Sequence, residues 1–386
     1  MSRIVFLESA QNFGGARKAV ITMAKVLSRS FDTEIVDIYG SCQPFVDASR
    51  ESSIKTTILL QDGNPYYIRS SISIFRKYFN ILTFLPHLIK IGQRIKKHLR
   101  ECDAEWVCVS GFRPLMAMYL VRPKSKVMFF AHGWYLNNQL SFFQKFLLKH
   151  VVDKVVCISE ATKHAIYNNQ ILPLSKLAVV HNCINLQTIQ DIQPCNIANK
   201  DNLPIVMHCG GFTRGKGQHV AIKVMEELYA RGRKCLMIMA GIVYKGKEST
   251  EYFDYIKNTI ENSTVADSIH LVVGKNNVYE FIKSCDIFIH TSDTEGLPLV
   301  VMEAQAMRKP VIANSVGGVT DMILHNYTGF LPTHNNVKEY ADIIEQLLDD
   351  KALYDNIADR AYNLIENSFS EQQQYLSLAK LFSTNE

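Results

Sequence analysis

No stretch of the 386 residues reaches the ~18 consecutive apolar residues that a membrane-spanning helix needs. The best candidate, Tyr78 to Ile89, is interrupted by Asn80, Pro86 and His87. A signal-peptide core is also missing. Only the four apolar residues Ile4–Leu7 run together before polar ones return, and these read as a buried strand. The nine cysteines form no CxxC pair and no regular spacing, which disfavours a zinc site or a disulfide framework and suits reduced thiols. Cys108, Cys157 and Cys285 sit at core-like positions, where cysteine acts as a small hydrophobe. Neither half contains G-x-G-x-x-G after a strand, so the nicotinamide fingerprint is absent. No aspartate-rich metal motif is apparent, and neither a metal nor a cofactor is expected. A net charge of +5 is too modest to indicate nucleic acid. The expectation is a cytoplasmic chain that does not span a membrane.

What is present is an alternation. Short apolar runs at Ile4–Leu7, 33–39, Trp106–Val109, 127–131, 155–158 and 177–180 are separated by segments of helical period, such as 15–28. This is the pattern of βαβ units and a parallel sheet, whose strands are covered on both faces. A second series follows: 205–209, a helix near 218–231, 235–240, a helix near 250–262, 268–273, a short helix at 278–284, 287–290, a helix near 298–307, and 311–313. Between the two series, residues 187–204 lose the periodicity and hold two prolines, and they read as a linker. The length also favours two domains, since single cores seldom grow much past ~250 residues. The fold class is therefore α/β, with two doubly wound Rossmann-like domains, 1–187 and 204–369. Ligands of such sheets bind at the carboxyl ends of the strands, and here a cleft between the domains is expected to hold them.

The most informative stretch is 290–321, HTSDTEGLPLVVMEAQAMRKPVIANSVGGVTD. A strand ends at His290, a loop carries Glu295-Gly296-Leu297-Pro298, and a helix begins. Proline suits the first helical turn. The free N–H groups and dipole of a helix N-terminus attract anions. Glu303 follows Glu295 by eight positions, which places one carboxylate at the helix entrance and one deeper along it. Carboxylates accept hydrogen bonds from hydroxyls such as those of a sugar or ribose. Earlier, after 205–209, comes Gly210-Gly211-Phe212-Thr213-Arg214-Gly215-Lys216-Gly217. A glycine-rich turn with two cations at the mouth of a helix suits a diphosphate.

Two glutamates at this spacing around G-x-P, followed by EAxAxxxPVIAxxxGG, resemble the E-x7-E signature of glycosyltransferase family 4, which has the GT-B fold. The resemblance implies that Glu303 binds the ribose and that Glu295, with Gly296 and Leu297, lies at the donor sugar. It assigns Lys216 to the diphosphate. Where the family usually has an arginine, five residues before that lysine, this chain has Gly211; Arg214 either reaches the phosphates instead or is a solvated loop residue. Gly274 matches the family's glycine near the base, with Lys275, Asn276 and Asn277 either contacting the base through their backbone or forming an ordinary turn. Gly317, Gly318 and Asp321 match GGxxE with Asp for Glu, although the N-terminal turn of a helix explains them almost as well. The last helix, about 370–386, is expected to pack back onto the first domain.

In the first half, the resemblance implies that the loop at Gly14 and Gly15 approaches the diphosphate from the other domain, where glycine permits close backbone approach. Arg17 or Lys18 either assists or is a surface charge. His132, at the end of the strand 127–131, is in register with a family histidine on the sugar and acceptor side. Ser159 and Asn182 also match family positions. Residues 69–100 hold eight Lys/Arg and no acid, with Phe75, Tyr78, Phe79, Leu82 and Leu85, then Leu88, Ile91, Ile95 and Leu99, at helical spacing on either side of Pro86. Such a segment suits an anionic inner-leaflet surface, or is a pair of ordinary helices with a solvated basic face.

The resemblance thus implies a retaining, metal-independent transfer of a hexose-type sugar from a UDP- or GDP-sugar to a hydroxyl acceptor. The acceptor would be a glycan or a lipid-linked molecule in polysaccharide, lipopolysaccharide or glycan biosynthesis, and the enzyme cytoplasmic or peripheral at the membrane. The catalytic groups would be His132, Lys216, Glu295 and Arg214. The rival readings are a nucleotide-sugar epimerase on the same scaffold and a non-catalytic nucleotide-binding subunit.

Overall fold

A computed structural model describes residues 2–60, 74–136, 139–199, 201–275 and 278–383, with the side chains of 74–83 excepted. Asn276, Asn277, residues 69–73 and the side chains of Phe75, Tyr78, Phe79 and Leu82 lie outside the described residues.

The chain divides into two compact units, one of residues 1–181 and 374–386, the other of residues 182–373. The first is built on seven parallel strands: β1 (Arg3–Glu8), β2 (Asp32–Asp37), β3 (Lys55–Ile58), β4 (Trp106–Val109), β5 (Lys126–Ala131), β6 (Lys154–Cys157) and β7 (Leu177–Val179). Their spatial order is β3-β2-β1-β4-β5-β6-β7. Successive residues of β1 feed opposite faces of the sheet, as strand geometry demands. Val5 and Leu7 join one core with Val36, Val107 and Phe129, while Ile4 and Phe6 join another with Ile35, Trp106 and Phe130. Leu378 and Phe382, from the last helix Glu371–Ser383, enter that second core, where the Phe382 ring meets Trp106 edge-on at 5.6 Å.

The second unit has five parallel strands: β8 (Ile205–Cys209), β9 (Leu236–Gly241), β10 (Ile269–Val273), β11 (Ile287–His290) and β12 (Val311–Ala313), in the order β10-β9-β8-β11-β12. Both sheets therefore reverse direction beside their first strand, between β1 and β4 and between β8 and β11. These switch points are where open α/β sheets place ligands.

Two sequence expectations change. Pro86 does not separate two helices: one helix, Ile74–Glu101, runs through it. A helix-interior proline loses one hydrogen bond, but beyond it Leu88, Ile91, Ile95 and Leu99 bury a continuous face in the core, and that burial outweighs the loss. Gly92 allows this helix to lie close to Phe112–Val121, since a Cβ there would stand 2.8 Å from the Ala117 carbonyl oxygen. The 187–204 stretch, read as a linker, belongs to the second unit. Its Cys195 N–H donates to the Glu280 carbonyl at 3.2 Å, and the Cys195 Sγ lies 3.1 Å from the Ser284 hydroxyl. The periodicity is lost because the stretch is mostly irregular chain laid on a helix, not because it is unpacked.

Candidate functional site

In the second unit the glycine turn after β8 and the loop after β11 are joined by backbone. Gly217 has φ +71°, and a Cβ on it would stand 2.1 Å from the Thr291 carbonyl oxygen, so only glycine fits. The Thr291 hydroxyl donates to the Gly217 carbonyl at 2.8 Å, and the Asp293 N–H donates to the Gly215 carbonyl at 2.8 Å. On the other flank Gly317, at φ +51°, passes so close that a Cβ would lie 1.7 Å from the Glu295 carbonyl oxygen. The Gly318 N–H donates to the Gly296 carbonyl at 3.0 Å. Gly317 is thus required beside the Glu295 loop, Gly318 contributes only its backbone N–H, and Asp321 sits in the short helix Val319–Met322.

This framework brings Lys216 and Glu295 together across 79 positions, with Nζ 2.6 Å from Oε1. The same carboxylate oxygen lies 2.9 Å from Nε2 of His290, the last residue of β11. Glu295 is buried. Burial by itself would raise its pKa, but the charge of Lys216 and the hydrogen bond from His290 outweigh it and hold the group at about 2. Buried His208 packs behind the lysine, with Nε2 3.1 Å from the Lys216 carbonyl oxygen. Burial, helped by the neighbouring His290, pushes His208 down to about 3, so its ring is neutral at physiological pH.

The helix Leu299–Ala306 starts directly after Pro298, with Gly296 and Leu297 buried at its entrance. Glu303 lies on its buried side and shares a hydrogen bond with the Tyr279 phenol. Burial and then the Glu303 charge push that phenol well above its ordinary value. Gly274 follows β10 at φ +77°, and its N–H donates to the Gly241 carbonyl at 3.0 Å. Arg214 is exposed and makes no ion pair among the described residues; its charge is felt at His219 and Tyr252. The residues brought together are thus Lys216, Glu295, Gly296 and Leu297, with Glu303 in the helix they open. Arg214 is not drawn into that network.

In the first unit His132 follows β5, and neither ring nitrogen has a hydrogen-bond partner among the described residues. Burial and the charge of Arg17 push its pKa down to about 3. Arg17 itself forms an ion pair with buried Glu8, the last residue of β1. Gly14 caps the helix Gly15–Leu27 with an extended backbone. Ser159 is buried and caps the helix Glu160–Asn168, accepting from the Thr162 N–H at 3.1 Å, while Asn182 is buried in the second unit. Glu8 and His208 escaped the sequence reading, and His290 was read only as a strand end. The available signal was an ionisable residue inside or at the end of an otherwise apolar buried strand.

Among the described residues, one cluster has three metal-ligating donor types, Glu34, His98 and Cys102, within 4.8 Å of one another. Glu34 already accepts from Thr57 at 2.6 Å and pairs with Lys55 at 3.1 Å and with His98 at 3.3 Å, an ion-pair network beneath the edge strand β3. No helix among the described residues is long and apolar enough to cross a membrane.

Two family profiles cover most of the chain: glycosyltransferase family 4 over residues 13–188 and glycosyl transferases group 1 over residues 190–364. An uncharacterized glycosyltransferase of Haemophilus influenzae is 25% identical over 367 residues, 94% of each chain. The capsular polysaccharide biosynthesis glycosyltransferase CapM of Staphylococcus aureus is 25% identical over 240 residues, 60% of this chain and 61% of CapM. Among solved structures, Anabaena HepE in complex with UDP and glucose superposes with a TM-score of 0.81 at 18% identity, covering 99% of this chain and 100% of HepE. That likeness is one of fold, the GT-B architecture.

Proposed function

The chain is a glycosyltransferase of glycan biosynthesis belonging to family 4, and on that premise we propose that it moves a hexose-type sugar from a UDP- or GDP-sugar to a hydroxyl acceptor with retained anomeric configuration. The observation that carries this reading is the Lys216–Glu295–His290 network at the switch point of the second sheet, beside the start of the helix that holds Glu303. A cation and free helix N–H groups suit a diphosphate. Two buried carboxylates suit the hydroxyls of sugar and ribose, and Glu295, at about 2, is ionised and able to accept from them.

In this mechanism Lys216 and the first turn of Leu299–Ala306 stabilise charge on the departing diphosphate electrostatically. Glu303 holds the ribose. Oxygens of the leaving group take the proton of the attacking hydroxyl on the same face of the sugar. No side chain then has to act as a covalent nucleophile, and no metal is required. His132 serves the sugar and acceptor side: its neutral ring has both nitrogens unengaged by the described residues.

A lipid-linked acceptor fits the exposed Lys90, Arg94, Lys96, Lys97 and Arg100 on the helix Ile74–Glu101, where the enzyme would meet an anionic membrane surface. Because Leu88, Ile91, Ile95 and Leu99 are buried and only Leu85 and Ile89 of its large apolar side chains are exposed, residues 84–100 of the helix would bind chiefly by charge.

The test is thermal unfolding with a panel of UDP-, GDP- and ADP-sugars. One donor should raise the midpoint, and Glu303→Ala should abolish the rise. If no sugar nucleotide stabilises the wild type, the proposed donor class is wrong.

A further inference from the structure

Gly211 does not have a positive φ, so its backbone does not call for glycine. What excludes a side chain there is Tyr244, in the loop after β9. A Cβ on Gly211 would lie 2.4 Å from a ring carbon of Tyr244 and 2.7 Å from its hydroxyl oxygen. The phenol thus fills the space a side chain at position 211 would enter. Several contacts hold this arrangement. The Gln218 amide donates to the Gly210 and Gly211 carbonyls at 3.2 and 3.1 Å. The Phe212 N–H donates to the Ile242 carbonyl at 2.9 Å. The Tyr244 N–H donates to the Ser249 hydroxyl at 3.0 Å, which in turn donates to the Phe212 carbonyl at 2.7 Å.

The turn so covered is the one that carries Lys216, whose aliphatic stem lies 3.5 Å from where a Gly210 Cβ would be. Tyr244 is half-buried, and its hydroxyl has no hydrogen-bond partner among the described residues. The phenolic O–H set against Gly211 thus brings a neutral donor to the same glycine turn that carries Lys216. We propose that Tyr244 is a donor-binding residue, its hydroxyl donating a hydrogen bond to the diphosphate of the sugar nucleotide from the space above Gly211. This rests on the reading of the turn as the diphosphate site. It leaves Lys216 as the cation of that turn and gives the diphosphate a second contact that carries no charge.

Calorimetric titration with UDP, GDP and ADP, each beside its monophosphate, tests the two levels separately. The wild type should bind one diphosphate, and Tyr244→Phe, which keeps the ring over Gly211, should weaken it about tenfold, as loss of a hydrogen bond to a charged group does. Binding of the matching monophosphate should change less. Diphosphate binding that persists in wild type and is unchanged in Tyr244→Phe overturns the role of Tyr244 and leaves the site reading standing. Absence of diphosphate binding in wild type overturns both. A second pair checks the occupied space: Tyr244→Ala should lose affinity, and adding Gly211→Arg, which then has room, should restore it. No recovery would mean that the space above Gly211 does not face the diphosphate.

Discussion

The two units share a topology and a device, and they differ in how they use it. At the switch point of the first sheet, buried Glu8 at the end of β1 is held by Arg17 from the following helix. At the switch point of the second, buried Glu295 after β11 is held by Lys216 from the turn after β8. The pairs titrate in opposite directions. Glu8 is raised, because burial outweighs Arg17. Glu295 falls to about 2, because His290 adds its hydrogen bond to the Lys216 charge. The same strand order thus yields one carboxylate whose charge is costly to keep and one that is firmly ionised. The second is the one suited to a polar ligand.

The largest expected effect breaks the cation of the second unit. Lys216→Met should slow sugar transfer by about 10²–10³-fold, the usual scale for removing one electrostatic stabiliser of a developing anion. A loss below tenfold in a steady-state transfer assay would remove Lys216 from the leaving-group site. The parallel change in the first unit is a matter of stability. Arg17→Met leaves Glu8 buried without its partner and should cost about 3–5 kcal/mol in urea unfolding. Adding Glu8→Gln should recover most of that, and a double variant as unstable as the single one would show that the charge of Glu8 is not the cause.

A pH series separates the pairs by sign. The depressed Glu295 contributes stability that is present above its ordinary value of 4.5 and is lost as pH falls through about 2. Glu295→Gln should therefore flatten the acid limb between about 4.5 and 2. The raised Glu8 contributes stability present below 4.5 and lost as pH rises through its folded pKa, so Glu8→Gln should gain on the wild type as pH rises. Urea midpoints measured across pH give both slopes, and equal signs would end the comparison. The smallest effect on stability concerns the solvent face of Ile74–Glu101. Replacing Lys90, Arg94, Lys97 and Arg100 by Gln should shift stability by no more than about 0.5 kcal/mol per substitution. It should also abolish sedimentation with vesicles rich in phosphatidylserine. Retained sedimentation would move the membrane contact elsewhere.

Much of the scaffold was legible because its signals are local. Buried parallel strands such as Trp106–Val109 are continuous apolar runs, and Pro298 marks a helix start within a few residues. Lys216 and Glu295 were each legible as candidates, one from a glycine turn and one from its spacing to Glu303. Their contact was not legible, since nothing local links positions 79 apart. Gly317 is similar: a GG pair is visible, but its reason is a carbonyl of Glu295 passing where a Cβ would be. Pro86 misled because propensity argues for a break, while the helix is held by a core face whose partners lie on other elements.

By itself, then, the sequence determined the alternation of strands and helices, the two-domain plan and the residue types at the turn and the helix entrance, because hydrophobic period and turn chemistry act over a few residues. Only the tertiary structure decided which charges meet. It joined His290 to the Lys216–Glu295 pair, set Tyr244 over Gly211, and shifted Glu8 and Glu295 in opposite directions. Burial and charge pairing act through space, between segments the chain order keeps apart.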